Sequence, residues 1–168
     1  MVLPGFSTSD TIMGPLRSYL RSRGHTVWGW DLGVNRGEVN VNLPRVIAQV
    51  ERRVAENNGE PISMVGWSLG GVFAREVARA RPELVDQLIT LASPARSYSR
   101  AAGDPSAPRI ETPITAFYSK ADGVVGWEGM IDELNPNVQM IEVDSSHLGI
   151  TLDPTAWLGT AQVLAGRS

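Results

Sequence analysis

Gly66-Trp67-Ser68-Leu69-Gly70-Gly71 stands between a short apolar run, Pro61-Ile62-Ser63-Met64-Val65, and a stretch with helical spacing, Val72-Phe73-Ala74-Arg75-Glu76-Val77-Ala78. The order is strand, tight turn, helix. A Gly-x-Ser-x-Gly in that setting reads as a nucleophile elbow. The serine of such a turn takes a strained backbone conformation, and its neighbours two residues away lack side chains so that strand and helix can approach. The turn lifts the Ser68 hydroxyl above the edge of a sheet and over the start of a helix, where developing negative charge is favoured.

Working outward towards the N-terminus, Val2-Leu3 is a short strand. It runs into the loop Pro4-Gly5-Phe6-Ser7-Thr8-Ser9-Asp10, with Thr8 or Ser9 expected to cap the next helix. Ile12, Leu16, Tyr19 and Leu20 give that helix its apolar face, and Gly24 ends it. Thr26-Val27-Trp28-Gly29-Trp30 reads as a strand from its β-branched and aromatic content. After a turn-rich loop, a helix capped by Asn42 is expected to carry Pro44 in its first turn. Leu43, Val46, Ile47, Val50 and Val54 face inward, and Asn57-Asn58-Gly59 closes it.

Towards the C-terminus, the elbow helix runs to about Ala80 and a strand covers Leu84 to Leu91. Ser93 to Thr112 is a loop without periodicity, followed by a strand ending at Tyr118. A short helix over Trp127 to Leu134, a strand over Val138 to Val143 and a helix over Pro154 to Leu164 complete the chain. Strands and helices alternate, and several strands are apolar on both faces. The pattern predicts an α/β fold, a predominantly parallel sheet of about six strands with helices on both sides. Right-handed crossovers gather the loops after the strands on one edge, where such sheets bind their ligands.

The 168 residues are expected to form one domain, 1–168. Apolar residues make up 42% and charged residues 20%, the balance of an ordinary globular chain. The net charge is -3, with acids and bases mixed along the sequence, which argues against a nucleic-acid surface or a membrane-binding basic run. There is no cysteine, so disulfide and thiolate chemistry are excluded. Two histidines are too few for a histidine-rich metal site, and no metal or cofactor is expected. No stretch reaches transmembrane length and no signal peptide is visible, so the expected location is the cytoplasm.

A serine hydroxyl needs a base to take its proton. His25 opens an early strand at the sheet edge opposite the elbow and reads as structural. His147, in Ser145-Ser146-His147-Leu148-Gly149, follows the last strand on the elbow side and is the candidate base. The acid is expected after the preceding strand, where Lys120-Ala121-Asp122-Gly123-Val124-Val125 supplies Asp122; Asp104, one strand earlier, is a weaker alternative. Asp122 would hold the His147 tautomer and stabilise its imidazolium. An oxyanion hole would take one N–H from Leu69, directly after the serine. The other would come from the loop after the first strand, with Phe6 as the choice. Phe6, Val124, Val125, Trp127, Leu148 and Ile150 are the side chains expected to line the site.

These stretches together resemble the α/β-hydrolase superfamily, close to its small bacterial lipase- and esterase-like members. The matching residues are Leu3-Pro4-Gly5-Phe6 with Ser9-Asp10, Val65 to Gly71, Tyr118 to Val125, and Ser145 to Gly149, spread over almost the whole chain. The resemblance implies Ser68 as nucleophile, Asp122 as acid, His147 as base, the Phe6 and Leu69 amides as oxyanion donors, and an ester or related acyl substrate. Two departures stand out. The family's usual first two strands have no counterpart, since the sequence begins at what resembles the third. The strand Thr26 to Trp30 is therefore expected to be an exposed edge, covered by a loop or by a homodimer contact. No cap domain is inserted after the strand ending at Leu91, so an open site for short to medium acyl esters is expected. An acyltransferase or perhydrolase on the same residues, and a non-catalytic binding protein of the same fold, remain open at this stage.

Overall fold

In the computed structural model residues 1–95 and 108–166 are described. Five strands form one sheet in the order β1-β2-β3-β4-β5, all neighbours parallel: β1 Val2–Leu3, β2 Ile62–Trp67, β3 Val85–Leu91, β4 Ile114–Tyr118 and β5 Val138–Glu142. The helices are α1 Gly14–Ser22, α2 Val39–Glu56, α3 Leu69–Ala80, α4 Trp127–Met130 and α5 Pro154–Ala165.

The period of two along each strand sorts the core into two layers. Leu3, Met64, Leu88, Ile114 and Ala116 pack with Val46 and Val50 of α2 and Phe73 and Val77 of α3. Val2, Val65, Ile89, Leu91 and Phe117 pack on the other side with Leu16 and Leu20 of α1 and Ala156 and Ala161 of α5. Burial on both faces is why these strands read as continuous apolar runs. Close packing of α5 on the sheet depends on Gly159, where an added Cβ would lie 2.7 Å from the Phe117 ring.

Four local expectations are corrected. First, the described residues form a sheet of five strands, not about six, because Thr26–Trp30 does not form a ladder. It lies beside β1 but makes one backbone bond to it, Val2 N–H to Trp28 O at 3.0 Å. The Asp10 carboxylate takes the Trp30 and Asp31 amides, both at 2.8 Å, so at this end of the stretch a side chain stands where a strand neighbour would. Trp30 is buried edge-on against Phe73 at a centroid distance of 5.3 Å. The exposed edge strand on which the dimer expectation rested is therefore not formed.

Second, α1 begins at Gly14 with no side-chain cap; Thr8 and Ser9 lie outside it. Third, α2 begins earlier than expected, after Glu38 in a left-handed conformation, and Asn42 lies inside the helix with its amide donating to Gly37 O at 3.0 Å. Fourth, α4 stops at Met130 because the Asp132 carboxylate accepts the Leu134 and Asn135 amides, both at 3.2 Å, which holds a turn there. Asp153 caps α5 through the Thr155 amide at 2.7 Å.

Candidate active site

The turn between β2 and α3 sits at the C-terminal edge of the sheet. Ser68 has φ 52° and ψ −121°. A non-glycine residue there costs on the order of 1–3 kcal/mol and is held only by its surroundings. Its N–H donates to Leu91 O at the end of β3, at 2.9 Å. The flanking glycines are steric necessities. A Cβ on Gly66 would stand 2.4 Å from the Gly71 nitrogen, and one on Gly70 would stand 2.4 Å from Leu3 O. The same tightness that strains Ser68 brings the start of α3 against the end of β1.

Ser68, His147 and Asp122 come together although they lie on three separate loops. His147 Nε2 is 3.0 Å from Ser68 Oγ, and His147 Nδ1 is 2.7 Å from Asp122 Oδ2. Asp122 has a fully covered side chain and His147 is 12% exposed. The other Asp122 oxygen accepts the Val124 and Val125 amides at 2.8 and 2.9 Å, so the carboxylate is fixed by its own turn. A carboxylate on Nδ1 places the proton of a neutral imidazole there and leaves the Nε2 lone pair facing the Ser68 hydroxyl.

The loop after β1 closes against this group. A Cβ on Gly5 would lie 3.2 Å from Ser68 Cβ and 2.8 Å from the Trp67 ring, so only a glycine lets the backbone come this near. The Leu69 N–H opens α3, where the first amides have no intrahelical acceptor. The arrangement can therefore offer a hydroxyl, a base oriented by an acid, and free helix-start amides in one place.

The expected lining residues divide. Phe6, Val124 and Leu148 are 62%, 74% and 54% exposed, on the loops that also carry Gly5, Asp122 and His147. Val125 is partly buried against the core, and the Lys120 ammonium lies 5.7 Å from the centroid of the Trp127 ring. Ile150 is a correction: it has no exposed surface and belongs to the core beside α5, so it does not line the site. His25 lies with Met1, Ser63 and Gln87 around a cavity at the opposite end of the sheet. Asp104 lies outside the described residues.

Three residues supporting the site escaped the sequence reading. Trp67 donates its indole N–H to His147 O at 2.9 Å and places its ring 5.4 Å from the imidazole. Ser119 is buried, and its hydroxyl accepts the Ala121 and Ser145 amides at 3.1 and 3.2 Å, joining the Asp122 turn to the His147 loop. Asp153 receives the Ser145 hydroxyl. Burial raises the Asp153 carboxyl, but the Ser145 hydroxyl and the amides of Thr155 and Ala156 outweigh this and hold it below the ordinary carboxylate value. A Trp beside an elbow Ser is the only one of these signals visible in the sequence.

Among the described residues no group of His, Cys, Asp and Glu could hold a metal ion, and no helix is long and apolar enough to cross a membrane.

No family model matches the sequence. The chain is 29% identical over 102 residues to a pimeloyl-[acyl-carrier protein] methyl ester esterase of Aliivibrio salmonicida. That match spans 57% of this chain and 36% of the esterase, so the chain covers about a third of the length of this curated relative. Among solved structures it is similar to a hydrolase of the α/β superfamily from Xanthomonas campestris, with TM-score 0.72, 19% identity, and coverage of 98% of this chain and 96% of that one. It is similar also to a monoacylglycerol lipase of Paleococcus ferrophilus, with TM-score 0.70, 17% identity, and coverage of 97% and 91%. Coverage this complete of both chains means that the likeness extends over the whole fold. With residues 92–113 as the whole connection from β3 to β4, where a cap would be inserted, the protein has the α/β-hydrolase fold in a compact form.

Proposed function

We propose that the protein is a serine carboxylic ester hydrolase acting on short- to medium-chain acyl esters. The observation that carries this reading is the continuous relay from Ser68 Oγ through His147 to Asp122, at 3.0 and 2.7 Å, built on a strained serine at a helix start. Similarity to an esterase and to a lipase structure supports an ester as the substrate class.

In this reading Ser68 Oγ attacks the ester carbonyl carbon while its proton passes to His147 Nε2. The carbonyl oxygen becomes an oxyanion facing the Leu69 and Phe6 N–H groups. Asp122 stabilises the imidazolium and stays ionised, its second oxygen held by Val124 and Val125. Collapse breaks the bond to the alkoxy oxygen, and His147 returns the proton to the leaving alcohol. Water then repeats the sequence on the acyl-serine, its proton passing to His147 and on to Ser68 Oγ as the acid leaves. The exposed rim of Phe6, Val124 and Leu148 leaves the site open, which suits small acyl groups and lets water reach the acyl-enzyme.

The test is hydrolysis of p-nitrophenyl esters from acetate to decanoate, with wild type beside Ser68→Ala and His147→Ala. Wild type should favour the short esters, and each variant should lose about three orders of magnitude or more in kcat. Folded wild type with no turnover above Ser68→Ala would remove the hydrolase reading.

A further inference from the structure

The buried residue Asn35 has no part in the relay, yet nearly every bond it makes goes to the loop that carries Phe6. Its side-chain amide donates to Pro4 O at 2.9 Å. Its backbone carbonyl accepts the Ser7 N–H at 2.7 Å, and its backbone N–H donates to Thr8 O at 2.8 Å. The Asn35 Oδ1 accepts the Gly37 N–H at 3.2 Å, which closes the 35–37 turn and fixes the amide's orientation. Asn35 is 1% exposed, so all four polar groups are satisfied inside the protein. One residue therefore grips the loop on both sides of Phe6.

The peptide between Gly5 and Phe6 is gripped as well. Gly5 O accepts the Thr8 hydroxyl at 2.8 Å and the Thr8 N–H at 3.3 Å. A trans peptide is planar, so its C=O and N–H point in opposite directions. Holding Gly5 O on Thr8 turns the Phe6 N–H away from Thr8. Gly5 itself lies against Ser68, and Ser7 takes φ 59°, a sharp turn that needs outside support in a non-glycine residue. Backbone pairing with Asn35 supplies that support.

We propose that Asn35 and Thr8 form a clamp that aims the Phe6 N–H as the second oxyanion donor. Both are positioning residues, since neither touches the reacting atoms. The proposal rests on the ester hydrolase reading above. It accounts for a buried asparagine in a surface loop, where an apolar residue would pack without the need for two side-chain hydrogen bonds.

The test compares Thr8→Val, Thr8→Ser and Asn35→Asp with wild type on p-nitrophenyl butyrate, and measures the affinity of phenylboronic acid, whose adduct with Ser68 places an oxygen in the hole. Thr8→Val removes the hydroxyl at nearly constant shape, Thr8→Ser keeps it, and Asn35→Asp removes the donor to Pro4 O. The clamp predicts that Thr8→Val and Asn35→Asp lower kcat by about tenfold or more with KM within about threefold. Phenylboronic acid affinity should fall in parallel, and Thr8→Ser should stay near wild type. Retained kcat in Thr8→Val, unchanged boronate affinity beside a fallen kcat, or a Thr8→Ser protein as weak as Thr8→Val would each overturn it. If Asn35→Asp does not fold, the Thr8 pair and the boronate decide alone. Wild type without turnover above Ser68→Ala would instead sink the hydrolase reading, and the clamp with it, whereas failure of the clamp leaves wild-type turnover untouched.

Discussion

His147 is held at three points: Nδ1 by Asp122, Nε2 by Ser68, and its own carbonyl by the Trp67 indole. The last is the least obvious and the easiest to remove. Trp67→Phe keeps an aromatic ring beside Gly5 and the imidazole but deletes the donor. It should lower kcat about tenfold through misplacement of the base, with KM little changed, and cost about 1 kcal/mol of stability. Steady-state kinetics and thermal unfolding of the one variant check both parts. At this scale the sequence was informative where chemistry limits the choice. With two histidines and the order serine, acid, histidine, Ser68, Asp122 and His147 could be named, and the structure brings them together. It was uninformative where the direction of a side chain decides. Ile150 and Leu148 lie two residues apart after the same strand; the first faces the core and the second solvent, because the intervening chain is a 3₁₀ turn whose facing is set by packing on α5. Trp67 could be read as core, and it is buried, but its reach to an oxygen 80 positions away is a tertiary fact.

The elements were legible wherever the apolar period is unbroken, as in β2, β3, α3 and α5. They were misjudged wherever a polar side chain competes with the backbone. Asp10 takes the Trp30 amide at the end of the expected strand Thr26–Trp30 and the Asp31 amide beyond it, and Asp132 takes those that would have prolonged α4. Such competition depends on which carboxylate the fold brings near, and local propensity does not contain that information. The elbow is the opposite case, since its geometry follows from three glycines. Gly66→Ala would place a methyl 2.4 Å from the Gly71 nitrogen, a backbone atom with no room to retreat. A cost of about 3 kcal/mol, or a melting temperature lower by roughly 10 °C, is expected. Calorimetry showing an unchanged melting temperature would contradict the close approach of β2 and α3.

Across the whole molecule, α3 is tied to the turn before β5 by the buried Arg75–Asp132 ion pair. Asn135 extends the link: its side-chain Nδ2 donates to Asp132 at 2.8 Å, and its side-chain Oδ1 accepts the Ile110 N–H at 2.8 Å. Burial raises the Asp132 carboxyl, but the Arg75 charge and hydrogen bonds from Asn135 and Arg75 outweigh this and hold it below its ordinary 3.8. A carboxyl depressed in the folded state contributes stability at pH above its unfolded value, and that contribution is lost as pH falls below about 4 towards the folded value. Asp132→Asn should cost about 3 kcal/mol or more at pH 7, because it leaves a buried guanidinium without its counter-charge. It should also flatten the fall in stability between pH 5 and pH 3. Urea unfolding of both proteins at these pH values tests the sign and the size together.

The proposed function requires that this framework make the Ser68 hydroxyl nucleophilic. The most direct measurement is the reaction of the intact protein with a fluorophosphonate, followed by mass spectrometry. It needs no knowledge of the natural ester. The account predicts a single adduct on Ser68, absent in Ser68→Ala and formed at least about a hundredfold more slowly in His147→Ala. A folded protein that stays unlabelled, or that labels equally fast without His147, would contradict it.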